Sequence, residues 1–348
     1  MSRETPEVPA DLAETPVAPA LAKAARNAVT VCLAATKADR AAIVYDASTR
    51  AIAAALREAF AEVGARCDAC DVDAFGGRPL TVLPAVVART IAQATCSALA
   101  LTAMPGELAL RKAVLDIVIE KKLRHAHMPS ITEPVFVDGL ATDYRQVAKF
   151  VARIVDALQG ASELRMTSPG GTELLCRCTT PPALHVLDGL ITRDRWQNLP
   201  SGQIIVIPTD AEGVFVADRN LGDWFQHTYD VAESPVSFEL EGGRVRQITC
   251  SNRKLERDLR LFLRSSENSA KISEVVIGAN LGLTQDHRSS LFEGYRPGAS
   301  ITIGANPATG GFTSATSIPV FGARKSLWIG DRQIMTDDAF APELLSDL

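Results

Sequence analysis

Between residues 41 and 158 short apolar runs alternate with helical stripes, and nothing else in the chain restricts its fold as much. Residues 41–45, Ala-Ala-Ile-Val-Tyr, read as a buried strand ending at an acid, Asp46. Ser48 or Thr49 can cap a helix running to about Val63, with Ile52, Leu56, Ala59 and Phe60 on one face and Gly64 as its stop. Residues 66–72 form the next strand. Parallel neighbours need a long crossover, usually a helix, so strand–helix–strand order predicts a parallel sheet. The order repeats with helices expected over 84–94, 107–122 and 143–158, and strands over 97–103 and 125–131.

From about Leu164 the texture changes. Short alternating strands are expected at 163–167, 172–178, 204–207, 213–217, 236–240 and 244–249, broken by one helix at 255–264. A closing hairpin turns at Gly330-Asp331. Between them lie apolar strands that end in glycine, at Gly278 and Gly304, with Gly310-Gly311 opening a run to Val320. The expected fold class is α/β: a parallel, Rossmann-like α/β domain over 21–162, followed by a β-rich α+β domain over 163–348 that carries the site. Pro6, Pro9, Pro16 and Pro19 mark residues 1–20 as a disordered arm.

A length of 348 residues, 47% hydrophobic, supports two packed domains. The net charge of −5 gives no basic footprint for nucleic acid. No apolar run is long enough to span a bilayer, and the first residues carry no apolar leader, so a cytoplasmic protein is expected. The seven cysteines are odd in number and irregularly spaced, which argues against a disulfide framework. Cys67 and Cys70 have redox-motif spacing, but they open a strand rather than a helix, so both read as small strand hydrophobes. No phosphate-binding glycine motif follows the first strand, so the topology implies no nucleotide.

Several polar groups are candidates for chemistry. His125 and His127 alternate on one strand, so both rings face the same side. No nearby acid or thiol completes a ligand set, and a half-exposed strand end is the plainer reading. His287, within Asp286-His287-Arg288, has the makeup of a general base on a loop. Asp210 and Glu212 lie on a predicted loop and suit proton transfer or cation binding. Glu274 stands just before an apolar strand; pointing inward it needs a partner, and Lys271 is near in sequence.

An ordered set of motifs adds to this. Thr167-Ser-Pro-Gly-Gly-Thr-Glu173, Asn198-Leu-Pro-Ser-Gly-Gln203, Pro208-Thr-Asp-Ala-Glu-Gly213, Glu241-Gly-Gly-Arg244, Glu274-Val-Val-Ile-Gly-Ala-Asn280 and Leu327-Trp-Ile-Gly-Asp331 follow one another along the chain. In that order the chain resembles the thermophilic-type metallo-aminopeptidases (aminopeptidase T and S) and the related iron enzyme 2,5-dihydroxypyridine 5,6-dioxygenase. The resemblance implies a metal site of Glu, His and Asp ligands. Carried over, its first Glu falls at Thr209 or Asp210 and its second at Glu274. One His falls at Ser300, and the terminal His-x-Asp pair falls at Ile318 and Val320. No histidine follows His287, so no shift of register restores that pair.

The resemblance therefore implies a departed member without metal or other cofactor. Its expected function is metal-independent, acid–base chemistry on a peptide or small aromatic substrate, such as maturation or cyclisation of a peptide natural product. Glu274, Asp210, Glu212 and His287 are the candidate catalytic groups; Ser300, Ile318, Val320 and Phe312 are the candidate substrate-binding groups. The alternative is an inactive peptide-binding or partner subunit, and an active metallo-aminopeptidase or ring-cleaving dioxygenase ranks below both. A homodimer or a heterodimer with a homologue is expected, with no nucleic-acid or membrane partner. An enzyme should keep converging acids in its cavity, whereas a scaffold can fill it with rings such as Phe312 and Phe321.

Overall fold

A computed structural model describes residues 10–285, 287, 289–305 and 312–348. Contacts divide the chain into two units: residues 1–146 with Leu187–Ser201, and Val147–Val186 with Gly202–Leu348. The single boundary expected at 162/163 is thus replaced by a division after Gln146 and a later segment that returns to the first unit. Within the expected arm, residues Ala10–Glu14 form a short helix, α1, and Leu12 is fully buried.

In the first unit, strands β1 (Arg40–Tyr45), β2 (Arg66–Asp71), β3 (Cys96–Leu101) and β4 (Arg124–Pro129) are all parallel, in the order β2-β1-β3-β4. Helices α2 (Pro19–Asn27) and α3 (Arg50–Glu62) pack together, and α3 packs on β1 and β2. Ala42, Val44 and Leu99 form a second core with Val87 and Ile91 of α4 (Ala85–Ala92) and Val114 and Val118 of α5 (Leu108–Lys121). With both faces covered, β3 is buried along its whole length. Cys67 and Cys70 are three residues apart on β2 and so point to opposite faces. Burial pushes both thiols up, and all seven cysteines are free.

Beyond β4, helices α6 (Glu133–Gly139) and α7 (Tyr144–Leu158) follow. The second unit is mostly antiparallel. Strands β5 (Glu163–Thr167), β6 (Glu173–Arg177), β10 (Asp210–Ala217), β12 (Val236–Glu241), β13 (Arg244–Cys250), β17 (Ser326–Ile329), β18 (Arg332–Thr336) and β19 (Ala339–Phe340) make one sheet. The other sheet holds β7 (Leu184–Leu187), β9 (Gln203–Val206), β11 (Asn220–Leu221), β14 (Ile272–Gly278), β15 (Gly298–Gly304) and β16 (Ser317–Phe321). The two-residue strand β8 (Gln197–Asn198) joins β4 in the first unit. Helices α8 (Gly222–Thr228), α9 (Arg253–Phe262), α10 (Ser290–Glu293) and α11 (Pro342–Leu345) complete the chain.

Glycine at the strand ends is required by space. A Cβ on Gly278 would lie 1.8 Å from the Arg296 carbonyl oxygen. Gly304 has a φ of +82°, and its Cβ would lie 2.1 Å from the Thr316 carbonyl oxygen. No helix among the described residues is long and apolar enough to cross a membrane.

Candidate functional site

The strands that end in glycine line a cavity, and register defines its wall. On β14 and β15 Glu274 lies opposite Thr302, and Val276 opposite Ser300. On β15 and β16 Thr302 lies opposite Pro319, and Ser300 opposite Phe321. On the other side of β14, Val276 lies opposite Ile205 of β9. Side chains alternate between faces along a strand, so these residues share one face. Together they line a cavity of about 260 Å³, which Asp223 of α8 and Ser290 and Leu291 at the start of α10 also enclose.

Glu274 is 3% exposed, and Thr302 Oγ1 donates to its Oε2 at 2.8 Å. Asp223 Oδ1 accepts from the Ser290 backbone amide at 2.8 Å. Gln203 and Ser300 add an amide and a hydroxyl to the wall, and no Lys, Arg, His or Cys among the described residues lines it. The chemistry on offer is therefore that of carboxylates and hydroxyls against an apolar floor of Val276, Pro319 and Phe321: accepting a proton, returning it, and hydrogen-bonding a polar edge.

The sequence-derived candidates separate on this geometry. Glu274 and Ser300 line the cavity together. Glu274 lies inside β14 rather than before it, and its hydroxyl partner is Thr302; Lys271 instead sits over the Phe312 ring, 4.6 Å from its centroid. Phe312 does not line the cavity. Ile318 and Val320 are buried on the opposite face of β16, because they alternate with Ser317, Pro319 and Phe321, which do line it. Asp210 and Glu212 are on strand β10 of the other sheet, not on a loop. Arg177, the cross-strand neighbour of Asp210, bonds Asp210 at 3.0 Å and Glu212 at 3.3 Å. They are an exposed ion-pair cluster and do not line the cavity. His287 is half-buried in the segment before α10 and is not a lining residue; Asp286 and Arg288, beside it, lie outside the described residues, as do Gly310 and Gly311. Asp223 and Thr302 line the cavity and were missed by sequence reasoning: the seven-residue helix of Asp223 is too short to show a period, and Thr302 meets Glu274 only through strand pairing.

The His125–His127 pair is buried in the first unit rather than half-exposed. His125 Nδ1 lies 2.8 Å from Ser97 Oγ, and its Nε2 lies 3.2 Å from His127 Nδ1. Burial holds both rings neutral, with His127 brought down to about 3. Among the described residues, no group of three or more His, Cys, Asp or Glu is placed to hold a metal ion.

Residues 20–269 match the profile of the family described as NicX, 2,5-dihydroxypyridine 5,6-dioxygenase. The chain belongs to this family. The motif-based resemblance agrees with it, although the matched residues of this 2,5-dihydroxypyridine 5,6-dioxygenase family member end before β14 and the Glu274 face. Two solved structures share its fold. One is 2,5-dihydroxypyridine dioxygenase from Pseudomonas putida KT2440, with a TM-score of 0.67 at 16% identity, over 95% of this chain and 100% of that one. The other is wild-type AmpT from Thermus thermophilus, with a TM-score of 0.63 at 16% identity, over 92% of this chain and 99% of that one. At that identity the likeness is one of fold. No curated protein matches the sequence significantly.

Proposed function

We propose that this family member handles a small molecule in the Glu274 cavity by acid–base chemistry, without a resident transition metal. The sheet face that builds the cavity carries the reading. Catalytic iron or zinc takes about three protein ligands, with imidazole and carboxylate prominent among them. Among the described residues the cavity wall offers two carboxylates, Glu274 and Asp223, and no imidazole or thiolate. The resemblance implies ligands at Ser300, Ile318 and Val320, whose side chains carry no imidazole or carboxylate, and Pro319 and Phe321, which face the cavity from β16, supply none either; this supports a site that does not fit that metal.

Glu274 is the proton-handling group in this reading, with Thr302 fixing one of its oxygens. The substrate is a small aromatic ring or the end of a peptide: the cavity is at the lower end of small-molecule sites and has an apolar floor beside a carboxylate. Pro319 and Phe321 in that wall favour a second reading, a binding subunit that holds such a ligand without turning it over.

The test uses the full chain expressed with added iron, followed by elemental analysis and calorimetry with 2,5-dihydroxypyridine. The expected result is sub-stoichiometric metal and binding that weakens about tenfold or more in Glu274→Gln. Stoichiometric iron together with oxygen-dependent loss of the pyridine absorbance would overturn the proposal. Turnover of a bound ring or peptide that Glu274→Gln abolishes while binding survives would separate the enzyme from the binding subunit.

A further inference from the structure

The first unit contains a second cavity, of about 820 Å³, at the place where its strand order reverses. The chain runs from β1 to β2 on one side, and β3 then pairs on the other side of β1. Loops leaving β1 and β3 therefore diverge, and open α/β sheets bind ligands in that crevice. Ser48 follows β1, Thr102 follows β3 and Ser130 follows β4, and all three line the cavity.

Topology alone suggests a phosphate ligand, but the residues do not. No Lys or Arg among the described residues lines the cavity, and no glycine-rich loop follows β1. The two hydroxyls beside Asp46 are oriented to accept. Ser48 Oγ donates its one hydrogen to Asp46 Oδ1 at 2.6 Å, so across its 2.7 Å contact with Thr102 Oγ1 it accepts. Thr102 then has lone pairs, and no hydrogen, left for a ligand. Asp46 anchors this relay: it is buried, bonded by the Thr102 amide at 2.7 Å and ion-paired with Arg78 at 2.5 Å. Glu133 and Asp138 add carboxylates to the wall, and Leu21, Ile131 and Val137 supply apolar surface.

We propose that this crevice binds an organic amine, its ammonium group facing Glu133, Asp138 and Thr102 Oγ1 and its apolar body lying on Leu21, Ile131 and Val137. A donor-only cation matches the carboxylates of Glu133 and Asp138 and the lone pairs of Thr102, and the volume suits a small organic molecule. This site is separate from the Glu274 cavity and does not depend on the function proposed for it.

The experiment is calorimetry on the full chain with two isosteric probes, phenethylamine and phenylacetate, with AMP as a third. The expected result is binding of the amine alone, weakened about tenfold by Glu133→Gln with Asp138→Asn and abolished by Val137→Trp, which fills the crevice. All these positions are at least partly exposed, and unchanged melting temperatures will show that the variants remain folded. The proposal is overturned if phenethylamine does not bind, if phenylacetate or AMP binds as well as it does, or if amine binding survives Val137→Trp.

Discussion

Thr302 Oγ1 donates to Glu274 Oε2 at 2.8 Å from the directly paired position on the neighbouring strand. A hydrogen bond to a charged group contributes about 1.5–3 kcal/mol. Thr302→Val keeps the shape and removes the donor, so it should destabilise the protein by about that amount, whereas Thr302→Ser should cost less than about 1 kcal/mol. Urea unfolding at neutral pH measures both. In a cycle with Glu274→Gln, a coupling of about 1 kcal/mol is expected, and additive effects would show that the bond does not matter.

Arg78 joins two buried acids in the first unit, Asp46 at 2.5 Å and Glu107 at 2.9 Å through Nε. Burial pushes the Asp46 carboxyl up, but the Ser48 hydroxyl, the Thr102 amide and Arg78 outweigh it and hold Asp46 at about 2, below its usual 3.8. A depressed carboxylate stabilises the fold above its unfolded value, and that stability is lost as pH falls through the folded value. Asp46→Asn should therefore be less stable than the parent at pH 7 by about 2 kcal/mol, with the gap closing between pH 3.8 and about 2. Arg78→Met leaves both acids buried without their cation and should cost more, about 3–5 kcal/mol. Equal losses would refute the bridging role.

Lys325 presents the opposite sign. It is fully buried, with Nζ 3.3 Å from Ser168 Oγ, 3.4 Å from the Val216 carbonyl and 4.9 Å from the Phe215 ring centroid. Burial lowers it from 10.5 to about 8, against the pull of Asp218 and Asp338. The unfolded chain thus holds a proton between those values that the folded chain has released, so stability attributable to this residue rises with pH across that window. At pH 7 the charged amine is a burden of about 3 kcal/mol, offset in part by its acceptors. Lys325→Met should gain on the parent at pH 7 and lose that advantage by pH 10.5. A difference between the two that does not change with pH would sink this account.

The parts legible in the sequence are those with a local cause. Strand–helix alternation forces the parallel order of the first unit, and glycines mark the ends of β14 and β15 because nothing larger fits there. What stayed hidden depends on partners distant in the chain. Asp210 and Glu212 look like loop acids until β10 pairs with β6 and brings Arg177 opposite. Asp223 reaches the cavity from a helix of seven residues, too short to announce itself by period. Ile318 and Val320, expected to meet substrate, alternate with the cavity-facing residues of β16, and in a strand neighbouring side chains take opposite faces. Ile318 and Val320 therefore belong to the core, while Ser317, Pro319 and Phe321 face the cavity.

That face assignment makes the last prediction. Ser300 is on the cavity face and Ile303, three residues on, pairs with Ile318 on the other. Ser300→Phe pushes a ring into about 260 Å³ of space, so it should block ligand binding while changing stability by less than about 1.5 kcal/mol. Ile318→Ala removes a fully packed side chain from the core and should cost about 2–5 kcal/mol, yet leave binding by the folded fraction intact. Calorimetry with a bound ring, beside urea unfolding of each variant, reads both effects. If Ile318→Ala impairs binding as much as Ser300→Phe does, the two faces of β16 have been exchanged, and the ligand-facing set must be redrawn around Ile318 and Val320.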